Sequence, residues 1–108
     1  MIKELDQYQK EVIKTLKPME LVETNKYCCM KLCEESGEIS SLFSKYYFHG
    51  KEFNKEKLKE EIGDLFYYIA AVSNTNGFNL SEIATFNIEK LRKRHGEKYN
   101  QEFYMEKI

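Results

Sequence analysis

From Val22 to Phe48 the chain carries no proline and a single glycine, Gly37, and one proline and five glycines punctuate its whole length. Such breakers end helices and open turns, so a chain this short of them, and rich in Lys, Glu and Leu, is committed to long helices rather than a sheet. Leu5, Tyr8, Val12, Ile13 and Leu16 recur at helical spacing and predict a first helix that Pro18 closes. A second should run from Val22 to Phe48 and end at Gly50. Asn54 is placed to cap a third, whose apolar positions Leu58, Ile62, Leu65, Ile69 and Val72 lead to the NTNG turn at 74–77. Asn79 with Glu82 forms a capping-box pair for a fourth, ending near His95 and Gly96. Four helices on short loops imply an all-α, antiparallel four-helix bundle, and no linker divides residues 1–108 into more than one domain.

Bulk charge excludes some partners. With 17 basic and 18 acidic residues the formal net charge is −1, which gives no general attraction to nucleic acid or to an anionic membrane. The opening MIKELDQYQKEV has no hydrophobic run, and no segment approaches the roughly 20 apolar residues of a membrane span. Cytoplasm is the expected location. Cys28, Cys29 and Cys33 are odd in number and lack paired CxxC spacing, so they read as reduced core residues rather than a disulfide or zinc framework.

Within the second helix, KLCEESGEIS places acids where the apolar stripe should run. On a wheel referenced to Leu32, the residues Cys28, Ile39, Phe43 and Tyr46 fall within about 40° of it, whereas Glu35 lies at about −60°, inside the stripe. Glu38 falls on the stripe's border and Glu34 points away. Aligning residues 32–47 with 58–73 repeats the device: Glu35 matches Glu61, Glu38 matches Asp64, and Gly37 matches Gly63. Helix-interior glycines cost up to about 1 kcal/mol against Ala, so these two suggest a close approach of backbone or ligand. Glu34 and Glu60 read as solvated.

Four carboxylates converging between two helices cannot stay bare, because desolvation and repulsion would force some to take up protons. A hard divalent cation resolves both, and oxygen donors without His suit Mg²⁺ or Mn²⁺. A di-iron site would need Glu-x-x-His pairs, and neither His49 nor His95 has Glu three residues before it. The fourth helix supplies the opposite sign. Referenced to Ile83, the residues Asn87, Lys90 and Arg94 sit within about 40° of the centre of its apolar side, flanked by Phe86 and Leu91. Arg92 and Lys93 read as solvated charge. An inward Lys and Arg one turn apart fit either a phosphate chain or buried salt bridges to the four acids.

The ordered set EExxE (Glu34, Glu35, Glu38), ExxD (Glu61, Asp64) and NxxKLxxR (Asn87, Lys90, Leu91, Arg94) resembles the MazG-like nucleoside triphosphate pyrophosphohydrolases. These belong to the all-α NTP pyrophosphatases, with the dimeric dUTPases and phosphoribosyl-ATP pyrophosphatases. DQYQKEVIKT looks like the family's first helix and GDLFYYI like its GDxLxYL segment. The resemblance implies hydrolysis of a nucleoside triphosphate between the α and β phosphorus atoms, giving monophosphate and pyrophosphate. Glu35, Glu38, Glu61 and Asp64 would hold Mg²⁺, with Mn²⁺ a possible substitute. Lys90 and Arg94 would hold the triphosphate and the departing pyrophosphate, and Glu35 or an adjacent acid would take a proton from water. Asn87 would contact phosphate or sugar, and Tyr68 would stack on base or sugar, with Tyr67, Gln9, Tyr99, Phe103 and Tyr104 as weaker candidates. The second MazG-like half of longer members is missing, so a bundle completed by self-association, as a homotetramer or homodimer, is expected. The alternative is a non-catalytic nucleotide-sensing or interaction module that keeps the metal site.

Overall fold

The computed structural model describes residues 1–96, so Tyr99, Phe103 and Tyr104 lie outside the described residues. Four helices follow one another: α1 (Leu5–Thr15), α2 (Leu21–His49), α3 (Lys55–Thr75) and α4 (Leu80–His95), with no strand among the described residues. Their ends lie where the local signals put them. Gly50 adopts a left-handed φ of 65° that ends α2, and the Lys51 N–H closes onto Lys45 O at 3.1 Å. The Asn54 side chain accepts from the Lys57 N–H at 3.0 Å and starts α3. Glu82 reaches back to accept from the Asn79 N–H at 2.7 Å and starts α4.

The short loop after α2 makes α2 and α3 an antiparallel pair, and this pair is the main packing unit. Helix α1 lies against α3, and α4 packs on α1. Among the described residues the buried apolar side chains are Val12, Cys28, Ala70, Ala71 and Leu80, with Tyr8, Leu16, Phe66, Ile69 and Val72 packed around them. Tyr8 stacks on Phe66 at 4.7 Å between ring centroids.

So small an apolar core is reinforced by polar clamps. Gln9 on α1 is 4% exposed; its Nε2 donates to Phe78 O at 2.8 Å, and its Oε1 accepts from the Leu80 N–H at 2.8 Å. That amide fastens the α3–α4 turn and the first turn of α4 to α1, so it is not free to read a base. Asp6 accepts from both the N–H and the hydroxyl of Ser81, at 3.0 and 2.6 Å, and these bonds hold its carboxyl below the usual range.

Two expectations about burial need correction. Only Cys28 is core; Cys29 and Cys33 are exposed free thiols, because they lie toward the flank of α2 that none of the other described helices covers. Tyr46 is exposed as well, and packs edge-on against Phe53 at 5.4 Å.

Removing the Gln9 amide leaves a buried Leu80 N–H without a partner, which costs about 1–3 kcal/mol. Gln9→Ala should therefore lower the urea or thermal midpoint accordingly, and a midpoint equal to that of the unaltered protein would show that the clamp contributes nothing.

Candidate metal centre

Glu35 on α2 and Glu61 on α3 face each other in the seam of the main helix pair, 7% and 2% exposed. Glu38, one turn beyond Glu35, stands at the solvent edge of the same seam. One carboxylate oxygen from each of the three lies within 4.8 Å of the others. The wheel reading of these acids therefore holds in three dimensions: Glu35 inside, Glu38 at the border, Glu34 outside in a 3.5 Å pair with Lys31. Asp64 is exposed and is not one of the three clustered acids, but its charge reaches Glu35 and the Tyr8 hydroxyl, which places it at the rim.

Electrostatics in the cluster show a site short of positive charge. Burial pushes Glu35 up to about 6, helped by proton sharing with Glu61 and by the charges of Glu38, Asp64 and Glu61. Glu38 is also raised, by its hydrogen bond to Glu61 and by Glu61's charge. Glu61 is held low as the acceptor from Glu38 and Lys57. Lys57, one turn before Glu61, approaches it at 3.0 Å and is raised in turn. Even so, Glu35 Oε2 and Glu61 Oε2 are buried with no hydrogen-bond partner. Two orphaned anionic oxygens beside a third carboxylate, all hard donors, fit a hard divalent cation such as Mg²⁺ or Mn²⁺.

Gly37 and Gly63 allow no close approach within the chain, since a Cβ at either would meet no atom within 4 Å. Both face open space beside the acids.

A cavity of about 650 Å³ opens next to this seam, between the end of α1, the α1–α2 loop, the first turns of α2 and the last turns of α3. Tyr68 belongs to both places: its ring lines the cavity, and Glu35's charge acts on its hydroxyl. Burial, then a hydrogen bond with Tyr27, pushes that phenol well above its usual range. Tyr27 and Tyr67 pack edge-on against Tyr68 at 6.0 and 5.1 Å. Tyr67 is pinned through its hydroxyl, 2.6 Å from Thr15 Oγ1; Thr15 gives its own proton to Val12 O at 2.7 Å, so Tyr67 is the donor.

The cations of α4 stand elsewhere. Asn87, Lys90 and Arg94 are exposed, α4 packs on α1 rather than over the carboxylates, and among the described residues no ion pair joins Lys90 or Arg94 to an acid. Phe86 beside them is 71% exposed. The face of α4 that carries Ile83, Phe86, Lys90 and Leu91 is exposed, and no other described helix covers it.

Sequence reading missed Lys57, although its spacing of four from Glu61 is that of a helical ion pair. It also missed the cavity, whose walls come from residues far apart in the chain.

Residues 23–98 match the MazG nucleotide pyrophosphohydrolase domain. The chain belongs to that family, and its four helices are the family's all-α type. No curated protein and no solved structure gives a significant match.

The titration of the cluster predicts how stability responds to pH and metal. An acid raised from 4.5 to about 6 on folding binds more protons folded than unfolded, so its contribution falls as pH rises from 4.5 through 6. Glu61, held low, acts the other way, and its contribution is lost only as pH drops below 4.5. In chelator, the thermal midpoint should fall between pH 4.5 and 6 and stay low above that. Glu35→Gln should remove this fall, and Mg²⁺ should raise the midpoint of the unaltered protein but not that of the variant. Equal Mg²⁺ stabilisation of both would take Glu35 out of the metal centre.

Proposed function

We propose that the chain is a Mg²⁺-dependent pyrophosphohydrolase that cleaves the α–β phosphoanhydride of a (deoxy)nucleoside triphosphate to the monophosphate and pyrophosphate. The observation that carries this reading is the pair of orphaned buried oxygens, on Glu35 and Glu61, beside a cavity of nucleoside size in a chain of this family.

Glu35, Glu38, Glu61 and Asp64 would hold the metal, and Lys57 supplies the positive charge beside Glu61 otherwise. Bound Mg²⁺ supplies charge neutralisation at the phosphates and lowers the pKa of a coordinated water. Glu35, or Glu38 beside it, would take the proton from that water. The Tyr68 ring stacks on base or sugar at the boundary between cavity and carboxylates. Lys90 and Arg94 bind the triphosphate chain and the departing pyrophosphate, Arg as a two-pronged donor and Lys as a point charge, and Asn87 contacts phosphate or sugar. The three free cysteines suit a reducing cytoplasm, and among the described residues no helix is long and apolar enough to cross a membrane.

Because α4 carries its cations on an uncovered apolar side, we infer that they meet the substrate only when copies of the chain associate, as a homotetramer or a homodimer. Exposed Met30, Tyr47, Phe48 and Phe86 support such burial. The exposed setting of Lys90 and Arg94 also favours a second reading, a nucleotide-sensing or interaction module that keeps the metal site without turnover.

One assay separates the two readings. Purified protein with Mg²⁺ and each canonical or modified triphosphate should yield monophosphate and pyrophosphate, and Glu38→Gln or Asp64→Asn should reduce turnover by about 100-fold or more with helical circular dichroism unchanged. No product from any triphosphate, in a folded oligomer, would leave the sensing module standing. Sedimentation should show an oligomer that Phe86→Glu weakens together with activity; a fully active monomer would refute the assembly.

A further inference from the structure

Most polar side chains that line the cavity are already committed within the chain. Here the Thr15, Thr24 and Thr75 hydroxyls donate to the carbonyls of Val12, Glu20 and Ala71 at 2.7, 3.0 and 2.9 Å. Tyr67 donates to Thr15, and Tyr27 and Tyr68 bond to each other. Two lining side chains remain uncommitted, Lys17 and Asn74. Lys17 is exposed on a flexible stem, a point charge with no fixed edge. Asn74 differs. It sits one turn beyond Ala71 and two beyond Tyr67, on the face of α3 that lines the cavity. Its backbone carbonyl takes the Gly77 N–H at 3.1 Å, which fixes the last turn of α3, while its carboxamide makes no hydrogen bond among the described residues.

We propose that Asn74 is the specificity-determining residue of this site, its carboxamide reading the polar edge of a nucleobase held in the cavity against Tyr68. This rests on the triphosphate reading above. A carboxamide sets an acceptor beside a donor, and every nucleobase shows an adjacent donor and acceptor on its pairing edge. Tyr68 then supplies the stacking face, which is alike for all bases, and Asn74 the directional contact, which is not.

Two substitutions and one spectroscopic measurement test it. Asn74→Ala should raise KM for the preferred triphosphate about tenfold, the effect of one lost hydrogen bond, with kcat nearly unchanged. Asn74→Asp keeps only acceptors, so it should shift kcat/KM about tenfold toward guanine, whose pairing edge sets two donors side by side, and away from uracil and thymine, whose single ring N–H lies between two carbonyl acceptors. If both variants stay within twofold of the unaltered protein for every base, the proposal is overturned. The measurement that needs neither a variant nor turnover is the side-chain amide resonance of Asn74, followed in metal-free protein during titration with adenosine, cytidine, guanosine and uridine 5′-monophosphates. A selective shift supports the assignment even if no triphosphate is hydrolysed, in which case the hydrolase reading alone fails. An Asn74 amide that moves with none of the four overturns it even in an active enzyme.

Discussion

Two carboxylates facing each other across the seam between α2 and α3 are the constraint around which the rest of the molecule is arranged. A seam of apolar residues at positions 35 and 61 would pack these helices more tightly, since replacing buried charge with apolar groups is often stabilising by about 1–4 kcal/mol. Instead the chain keeps Glu35 and Glu61 there and relieves the strain only in part. A proton is shared, Glu35 rises to about 6 and Lys57 leans in from α3, yet one oxygen of each acid stays unpartnered. Unrelieved electrostatic strain of this kind is what a binding site retains and a purely structural interface eliminates.

That choice has consequences for the fold. With its longest helix pair partly given over to acids, the chain builds its apolar core beyond them, from Val12, Cys28, Ala70, Ala71 and Leu80. Helix α4 is fixed at its first turn by the amide of Gln9 and the carboxylate of Asp6, while its apolar residues Phe86, Ile88 and Leu91 remain exposed. Among the described residues this leaves α4 anchored at one end by hydrogen bonds and exposed along its apolar side. In the proposed assembly, folding and completion of the site are then the same event, with burial of Phe86 bringing Lys90 and Arg94 to the phosphates.

What was legible in the sequence depended on the range of the physics involved. Helix ends act within a turn, so Gly50, Asn54 and the Asn79–Glu82 pair could be read directly. The wheel placed Glu35 inside and Glu38 at the edge because α2 and α3 are neighbours in sequence and pair through a short loop. For α4 the same wheel marked an apolar side but could not say that no other described helix covers it. Cys29 and Cys33 failed for the same reason: apolar character is local, whereas burial needs a partner element. Gly37 and Gly63 broke the helix-propensity rule without the close intrachain contact that usually explains it. Asn74 looked like turn chemistry, because its role at the helix end is local and its free carboxamide matters only once α1 and α2 close a cavity opposite it.

The same two helices carry both the metal centre and the cavity, and their register ties one to the other. Glu61 and Tyr68 are seven residues apart on α3, as are Cys28 and Glu35 on α2, so each helix separates cavity wall from carboxylate by two turns, about 10 Å along its axis. Antiparallel pairing makes the two spans run side by side, with Cys28 and Tyr68 at the cavity end and Glu35 and Glu61 at the other. Helices do not stretch appreciably, so in the proposed reaction the distance from nucleoside to reacting phosphate would be set by backbone geometry rather than by side-chain fit. On the proposed reading, substitutions in the cavity wall can change which base is held without moving the carboxylates, and Tyr68, which lines the cavity and feels the charge of Glu35, is the point through which such changes would reach the chemistry.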